Sequence, residues 1–391
     1  MVNEFCDEST KYMEEVELGY RKKLGQYFTP RMIREALINL LPKNIKQPKV
    51  LDPACGTGEF LLTARDYFKK PILEGWEIDK KLTKIAKKLI PEAKILNHDS
   101  LKYKTKEKFD FIIGNPPYFE FQPDKEIKNL YAEVIGGRVN IFSMFIKLGI
   151  DYLKEGGYLA FVIPPSMNNG AYFANLRKYI IKNTNVENIK VLEADLFYKA
   201  QQLTMIMVMK KTKNKGKYIF KINGVEIFSE NWKYLKEAFE NKKSLRELGF
   251  KVRTGRVVWN QNKEKLTDDK KKSLLIWSHN ITDEGLVLNN KKCKLQYINL
   301  ENPDEGLAII VNRVTGAGKA AKIRAVLIPK GQKFFAENHC NVIYPPLGKE
   351  KYLSKLLEQL KSAEMLKIWQ SITGNTQVSK NELEKLCPVR Y

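Results

Sequence analysis

The chain is poor in cysteine and histidine. Its 391 residues hold five cysteines, Cys6, Cys55, Cys293, Cys340 and Cys387, scattered, odd in number and without a CxxC pair. That spacing argues against a disulfide framework and against a zinc site. Histidine occurs only at His98, His279 and His339. The adjacent His339 and Cys340 lack further ligands nearby, so no metal is expected. No apolar run approaches the ~20 residues that a membrane span needs. The opening Met1 to Glu8 is acidic and has no apolar signal core. A cytoplasmic protein with no membrane partner is the expectation. Internal repeats are absent. A fused nuclease is absent as well: Pro123-Asp124 and Glu126-Ile127-Lys128 stand too close together to span two strands.

Acidic side chains are also in deficit. There are 45 of them against 68 lysines and arginines, a net charge of +23. The imbalance is uneven, with 35 basic and 19 acidic residues in 211–391 against 33 and 26 in the first 210. A basic half beside a milder one points to a polyanion, most simply nucleic acid.

What is present is ordered. The first half alternates strand-like runs (Val50-Leu51, Ile72 to Ile78, Lys94 to Leu96, Phe109 to Ile113, Tyr158 to Ile163, Ile189 to Leu192, Leu203 to Met209) with helix-like ones (Arg31 to Leu41, Phe60 to Phe68, Lys80 to Leu89, Ile141 to Leu153, Tyr172 to Ile181). Such alternation predicts βαβ units and a parallel sheet with helices on both faces, an α/β fold. Thr29-Pro30 reads as a cap followed by proline at the first helical position. Residues 211–217 are polar and aperiodic and read as a linker. Residues 218–391 show short apolar runs, many turns and a helix near Lys351 to Ile368, which predicts an irregular α+β domain.

Unusual loops fall at strand ends, where ligands of such sheets sit. Asp52 to Leu61 is a glycine turn opening a helix, with Gly56 and Gly58. Leu61 stands where a dinucleotide loop needs a small residue, and Asp52 would repel a pyrophosphate. A cationic amino-acid cofactor fits better, with Asp52 near an ammonium group. Glu77, ending the next strand, suits ribose hydroxyls, and Asp99, after the third, an adenine amine. The fourth strand runs into Asn115-Pro116-Pro117-Tyr118. Two prolines stiffen this segment and hold Asn115 out of the helical region. It offers an amide, a free carbonyl and a ring, which suits a flat molecule bearing an NH2 group.

This constellation resembles the S-adenosylmethionine-dependent methyltransferase fold, a Rossmann-like sheet, and within it the adenine-N6 DNA methyltransferases, whose tetrapeptide is (D/N/S)-PP-(Y/F). Gly25-Gln26-Tyr27-Phe28-Thr29-Pro30 resembles that family's N-terminal cofactor motif. The order of that motif, glycine loop, NPPY and a C-terminal domain resembles the gamma class. The resemblance covers about residues 1–210, a catalytic domain, and makes 218–391 a target-recognition domain. It implies S-adenosyl-L-methionine as cofactor, S-adenosyl-L-homocysteine as product and no metal. Cofactor contacts are implied at Tyr27, Thr29, Asp52, Ala54, Gly56, Gly58, Phe60, Glu77, Ile78, Asp99, Ser100, Asn115 and Phe145. The implied reaction is site-specific methylation of N6 of an adenine flipped out of double-stranded DNA by a monomer. Asn115 Oδ1 and the Pro116 carbonyl would accept the amine's N–H bonds, while Tyr118 and Phe197 stack on the base. Sequence choice would come from Arg253, Arg256, Trp259 and Asn260, and from Arg313 and Lys319 in a second, glycine-containing segment. A cognate restriction endonuclease acting separately is compatible with this class, as is an orphan enzyme. A protein glutamine-N5 methyltransferase, an RNA base methyltransferase and a non-enzymatic DNA-binding subunit are the competing readings. The long basic C-terminal half argues against the glutamine enzyme.

Overall fold

The computed structural model describes residues 4–192, 203–289, 295–313, 322–372 and 377–390. They form two compact units, one of Met1–Ile219 with Phe228–Glu230, the other of Phe220–Ile227 with Asn231–Tyr391.

The first unit opens with two short helices, α1 (Asp7–Glu15) and α2 (Leu18–Lys23), and then winds α3 (Arg31–Ile38), β1 (Lys49–Asp52), α4 (Glu59–Tyr67), β2 (Ile72–Glu77), α5 (Lys80–Leu89), β3 (Lys94–Asn97) and β4 (Phe109–Gly114). It continues through α6 (Lys125–Leu130), α7 (Phe142–Tyr152), β5 (Leu153–Ile163), α8 (Ala174–Asn183), β6 (Asn185–Val191) and β7 (Met205–Lys210). The strands make one sheet in the order β3-β2-β1-β4-β5-β7-β6. From β3 to β5 all pairings are parallel, whereas β7 runs antiparallel to both β5 and β6. The parallel sheet expected from the alternation holds from β3 to β5, and β7 departs from it. Both faces of β7 are buried, and a run of apolar residues carries no sign of its direction.

Strand period explains the two cores. Leu159, Phe161, Ile163, Met205, Met207 and Met209 pack with α7 and α8 on one face. Ala160, Val162, Ile206 and Val208 face the opposite way, with Ile33 and Leu37 of α3 and Phe60, Leu61 and Ala64 of α4. Phe111 of β4 is fully buried in this second core and stacks on Phe68 at 4.6 Å. The chain builds outward from β1 to β3 and then crosses back to β4 on the other side of β1. The crevice at the carboxyl ends of β1 and β4 is thus the switch point at which open α/β sheets bind ligands.

Helix starts show where local signals misled. Thr29 is no cap: α3 begins after Pro30, which makes no side-chain cap bond, and the Thr29 hydroxyl serves another group described below. Residues 211–217 are held to this unit through Lys211 N–H to Gly157 O (2.9 Å), Asn214 Nδ2 to Thr184 O (2.9 Å) and Lys215 N–H to Asn185 Oδ1 (2.7 Å).

The second unit is α+β. A four-stranded antiparallel sheet orders Lys251–Thr254, Cys340–Tyr344, Ala308–Asn312 and Ala325–Ile328, and a five-stranded mixed sheet includes Ser273–Ile276 and Lys333–Ala336. The helix expected at Lys351 to Ile368 is two helices, Leu353–Lys361 and Ala363–Ile372. Ser362 breaks it by adopting extended geometry (ψ 153°) and capping the second helix, accepting from Met365 N–H at 3.1 Å. Trp369, Ile368, Leu356 and Leu360 form the core under these helices.

Truncating Phe111 to alanine removes a stacked, fully buried ring from the sheet's central strand. The Phe111→Ala protein is expected to lose about 3–5 kcal/mol of stability in denaturant unfolding. A loss under about 1 kcal/mol would contradict this packing.

Candidate functional site

At the switch point lies a cavity of about 290 Å³. Its acidic lining comes from successive strand ends and the loops that follow them. Asp52 ends β1 and is 1% exposed. Its Oδ1 accepts from Ala54 N–H at 3.0 Å, turning the chain into the glycine loop. On the facing strand Gly114 has φ +146°, and a Cβ there would lie 2.6 Å from Asp52 Oδ1. Only glycine lets β4 pass this carboxylate. Glu77 ends β2 and accepts from Gly56 N–H (2.9 Å) and Asp79 N–H (2.7 Å). Asp99, past β3, accepts from Leu101 N–H at 3.0 Å. The three acids expected at successive strand ends do line one cavity, joined by Asp79 and Glu59.

None of the described lining residues is a lysine, arginine or histidine. Burial pushes the Asp52 carboxyl up to about 8, against the pull of the Ala54 N–H and with further repulsion from Glu77. Burial likewise raises Glu77 to about 7, although backbone N–H groups of Asp79 and Gly56 favour its anion. Two desolvated carboxyls without a basic partner make a receptor for a cation. The remaining walls are apolar, from Phe60, Leu82, Leu101, Phe119, Ile141 and Phe145. Ile78, 69% exposed, stands at the rim as an apolar ledge for a flat ring.

The N-terminal motif closes another side. Gly25 adopts φ +67°, and a Cβ there would meet Pro117 at 2.8 Å and Phe119 at 3.0 Å. The backbone of Gly25–Thr29 therefore lies directly on the NPPY turn. Tyr27 stacks on Tyr118, ring centroids 6.0 Å apart and planes 5° apart. Asn115 Nδ2 donates to the Tyr27 carbonyl (3.2 Å) and to Thr29 Oγ1 (2.9 Å). A carbonyl only accepts, so these bonds settle which end of the amide is nitrogen. The other end, Asn115 Oδ1, is screened from solvent and has no hydrogen-bond partner among the described residues.

Of the residues expected to hold the cofactor, Tyr27, Thr29, Asp52, Ala54, Gly56, Phe60, Glu77, Ile78, Asp99, Ser100, Asn115 and Phe145 line this cavity. Ser100 does so with its hydroxyl donated to Pro53 O at 2.6 Å. Gly58 does not line it: it precedes α4 with φ +92°, and a Cβ there would press on Ile90 at 3.0 Å. Pro117 lines the cavity, while Pro116 and Tyr118 are buried behind it. Phe197 and Lys319 fall outside the described residues. Sequence reasoning assigned nothing to Gln26, Phe119 and Phe121. Gln26 binds Asp79 Oδ2 (3.2 Å) and Tyr12 OH (3.0 Å), tying α1 to the rim. The alternation Phe119, Phe121 after NPPY was a legible sign of an extended segment with one face on the cavity.

The arginines singled out in the second unit differ from one another. Arg256 donates to Asn302 O (2.6 Å) and pairs with Asp304 (3.4 Å), so its charge is used within the unit. Arg313 Nη1 donates to Asn338 O at 3.1 Å. Arg253 is exposed, its guanidinium over the Tyr344 ring at 5.6 Å. Trp259 and Asn260 sit on a single 3₁₀ turn, with Trp259 packed on a small core of Val257, Leu275 and Phe335.

Known proteins place this chain among DNA-modifying enzymes. It is 30% identical over 225 residues to the modification methylase CviBIII of Paramecium bursaria Chlorella virus NC1A, covering 56% of this chain and 58% of that one. The type II methyltransferase M.CvrRI of Paramecium bursaria Chlorella virus XZ-6E is 28% identical over 322 residues, 79% of this chain and 80% of that protein. The chain thus spans less than two thirds of the first relative's length. A methyltransferase subunit of a type I restriction-modification system from Streptococcus thermophilus is 18% identical, with 58% of this chain and 60% of that one covered at a TM-score of 0.42. The sequence profile of N-6 DNA methylases matches residues 13–293, well over half of the 391, and the chain belongs to that family.

Proposed function

We propose that the protein is a site-specific DNA methyltransferase that uses S-adenosyl-L-methionine to methylate N6 of an adenine flipped out of duplex DNA. The observation that carries this reading is the pinned amide of Asn115, whose nitrogen is held by two acceptors and whose oxygen is left over. When bound, the cofactor supplies an activated methyl group on a positively charged sulfur. The residues fit it: Asp52 for the ammonium, Glu77 for ribose hydroxyls, Asp99 for an adenine amine, with Phe60, Ile78 and Phe145 as apolar walls. No metal is part of the reading.

An adenine amine is a weak nucleophile because its lone pair is delocalised into the ring. Acceptors that hold its N–H bonds draw the nitrogen toward a tetrahedral shape and localise that pair. Asn115 Oδ1 is one acceptor, and the Pro116 carbonyl the second. Such preorganised groups contribute ~3 kcal/mol each to lowering a barrier. Leaving a buried oxygen unpaired costs about 1–3 kcal/mol before the base arrives, a penalty that the incoming N–H relieves. Tyr118, buried and stacked on Tyr27, is the ring that a base entering beside Pro117 would pack against, which would offset part of the few kcal/mol needed for flipping. The second unit, with Arg253 as its readiest cation, is the target-recognition domain. The basic second half weighs against a glutamine substrate, and the N-6 DNA methylase profile favours DNA over RNA.

Incubation with methyl-labelled cofactor and duplex DNA of varied sequence, followed by mapping of N6-methyladenine, tests the reading. Label in DNA at one sequence context is expected. Label only in RNA or in a protein glutamine would overturn it. Asn115→Ala and Tyr118→Ala are expected to lower the single-turnover rate by about 100-fold or more while the cofactor still binds. Wild-type turnover in either variant would remove the assigned roles.

Cofactor binding should depend on pH. In the ligand-free cavity Asp52 titrates near 8 and Glu77 near 7. A bound cation favours both anions, so binding releases protons. Affinity is expected to fall as pH drops below about 8, by up to about tenfold per unit for each linked proton, and to level off above it. Calorimetry from pH 6 to 9 in buffers of different ionisation enthalpy checks this, and pH-independent binding would contradict it. Arg253→Ala is expected to weaken DNA binding and its salt dependence with cofactor affinity unchanged. Unchanged DNA affinity in fluorescence anisotropy would exclude Arg253 from the interface.

A further inference from the structure

We infer that Thr29 is a positioning residue for methyl transfer, fixing the Asn115 amide with its oxygen toward the base. The inference rests on the proposed reaction and adds a component to it. A primary amide has two ends of nearly equal size and opposite hydrogen-bonding sense. Only one orientation serves an amine: turned over, Asn115 would present Nδ2, a donor facing donors. Within NPPY the Tyr118 hydroxyl meets the Asn115 side chain, but a hydroxyl can donate or accept and does not by itself choose the end of the amide. Pro116 and Pro117 have no N–H to hold an amide oxygen elsewhere, and among the described residues the Asn115 oxygen has no partner. The choice is made from another part of the chain, about 86 residues away in sequence, by the Tyr27 carbonyl at 3.2 Å and Thr29 Oγ1 at 2.9 Å.

The two anchors differ in strength. The Thr29 bond is the shorter, and Thr29 is 5% exposed, so its hydroxyl is poorly placed to trade this partner for water. The flanking structure fixes the hydroxyl in turn. Pro30 directly follows, α3 starts at Arg31 without any side-chain cap from Thr29, and Gly25 lets the motif lie against Pro117 and Phe119. A hydroxyl that a helix start would ordinarily claim is given to the amide instead. Serine can supply the same oxygen, whereas valine has the shape without it.

The experiment compares Thr29→Val and Thr29→Ser in the full-length protein. Single-turnover methyl transfer to duplex DNA and, separately, cofactor affinity by calorimetry are measured, because Thr29 also lines the cofactor cavity. Thr29→Val is expected to lose about tenfold or more in the single-turnover rate, the worth of about one hydrogen bond to an oriented group, with cofactor Kd within about threefold. Thr29→Ser should recover to within about threefold of wild type. The side-chain NH2 signals of Asn115, identified by their absence in Asn115→Ala, should exchange with solvent faster in Thr29→Val. A wild-type rate in Thr29→Val, equal losses in both variants, or a loss confined to cofactor affinity would overturn the inference while leaving the reaction intact. A wild-type protein that places no methyl group on adenine would overturn both.

Discussion

The close passage of β4 past the end of β1 is the constraint on which the site depends. A carboxylate that is 1% exposed sits where the two strands part, and the chain opposite has no side chain at all. Gly114 admits Asp52, and the next residue is Asn115. The same turn of backbone therefore sets the acid at the floor of the cavity and launches the amide at its mouth. A parallel sheet with its order reversing at this place leaves a crevice there for topological reasons. Among the described residues, the charged groups lining this crevice are all acids. Burial raises both Asp52 and Glu77, and each gains from a neighbouring positive charge.

The N-terminal residues complete what the sheet begins. Gly25 to Thr29 lie on NPPY, and α1 is bound to the glycine loop through Ser9 Oγ to Thr57 Oγ1 at 2.7 Å and Cys6 N–H to Glu59 Oε1 at 2.9 Å. Glu59 also pairs with Arg34, both nearly buried. Removing one partner of such a pair leaves a stranded charge, typically at 3–5 kcal/mol. Because Glu59 lines the cavity as well, the first turn of α4 joins the N-terminal segment to it. The amide of Asn115 is the second join, through Tyr27 and Thr29.

Much of this was legible in the residues, for identifiable reasons. Asp52, Glu77 and Asp99 follow three successive strand-like runs, and although each alone could be a helix N-cap, their recurrence beside a glycine turn pointed to one pocket. What was misread involved choices that local sequence does not make. The direction of β7 is invisible in a doubly buried run. Thr29 before Pro30 carries a cap's signature, and only the distant Asn115 redirects its hydroxyl. Ser379 with Glu382 is a true capping box, Glu382 N–H donating to Ser379 Oγ at 3.2 Å, and it starts a helix at Lys380 that went unread for want of a long apolar period. In the second unit, arginine content alone could not separate Arg253 from Arg256, since Asp304 and Asn302 reach Arg256 only once the strands are paired.

The amide explains why the tetrapeptide is insufficient by itself. Two prolines give stiffness and a free carbonyl and remove two backbone donors from the turn, leaving the Tyr118 hydroxyl, which can donate or accept, beside the Asn115 side chain. An asparagine so placed would rotate between two states of similar energy, one productive and one obstructive. The orienting acceptors have to come from outside the turn, and they have to be acceptors that cannot reverse role, or hydroxyls held dry. A backbone carbonyl meets the first condition and Thr29 the second. A motif about 86 residues upstream is then part of the same chemical group as NPPY, and the stretch between them forms the floor on which both ends are brought together.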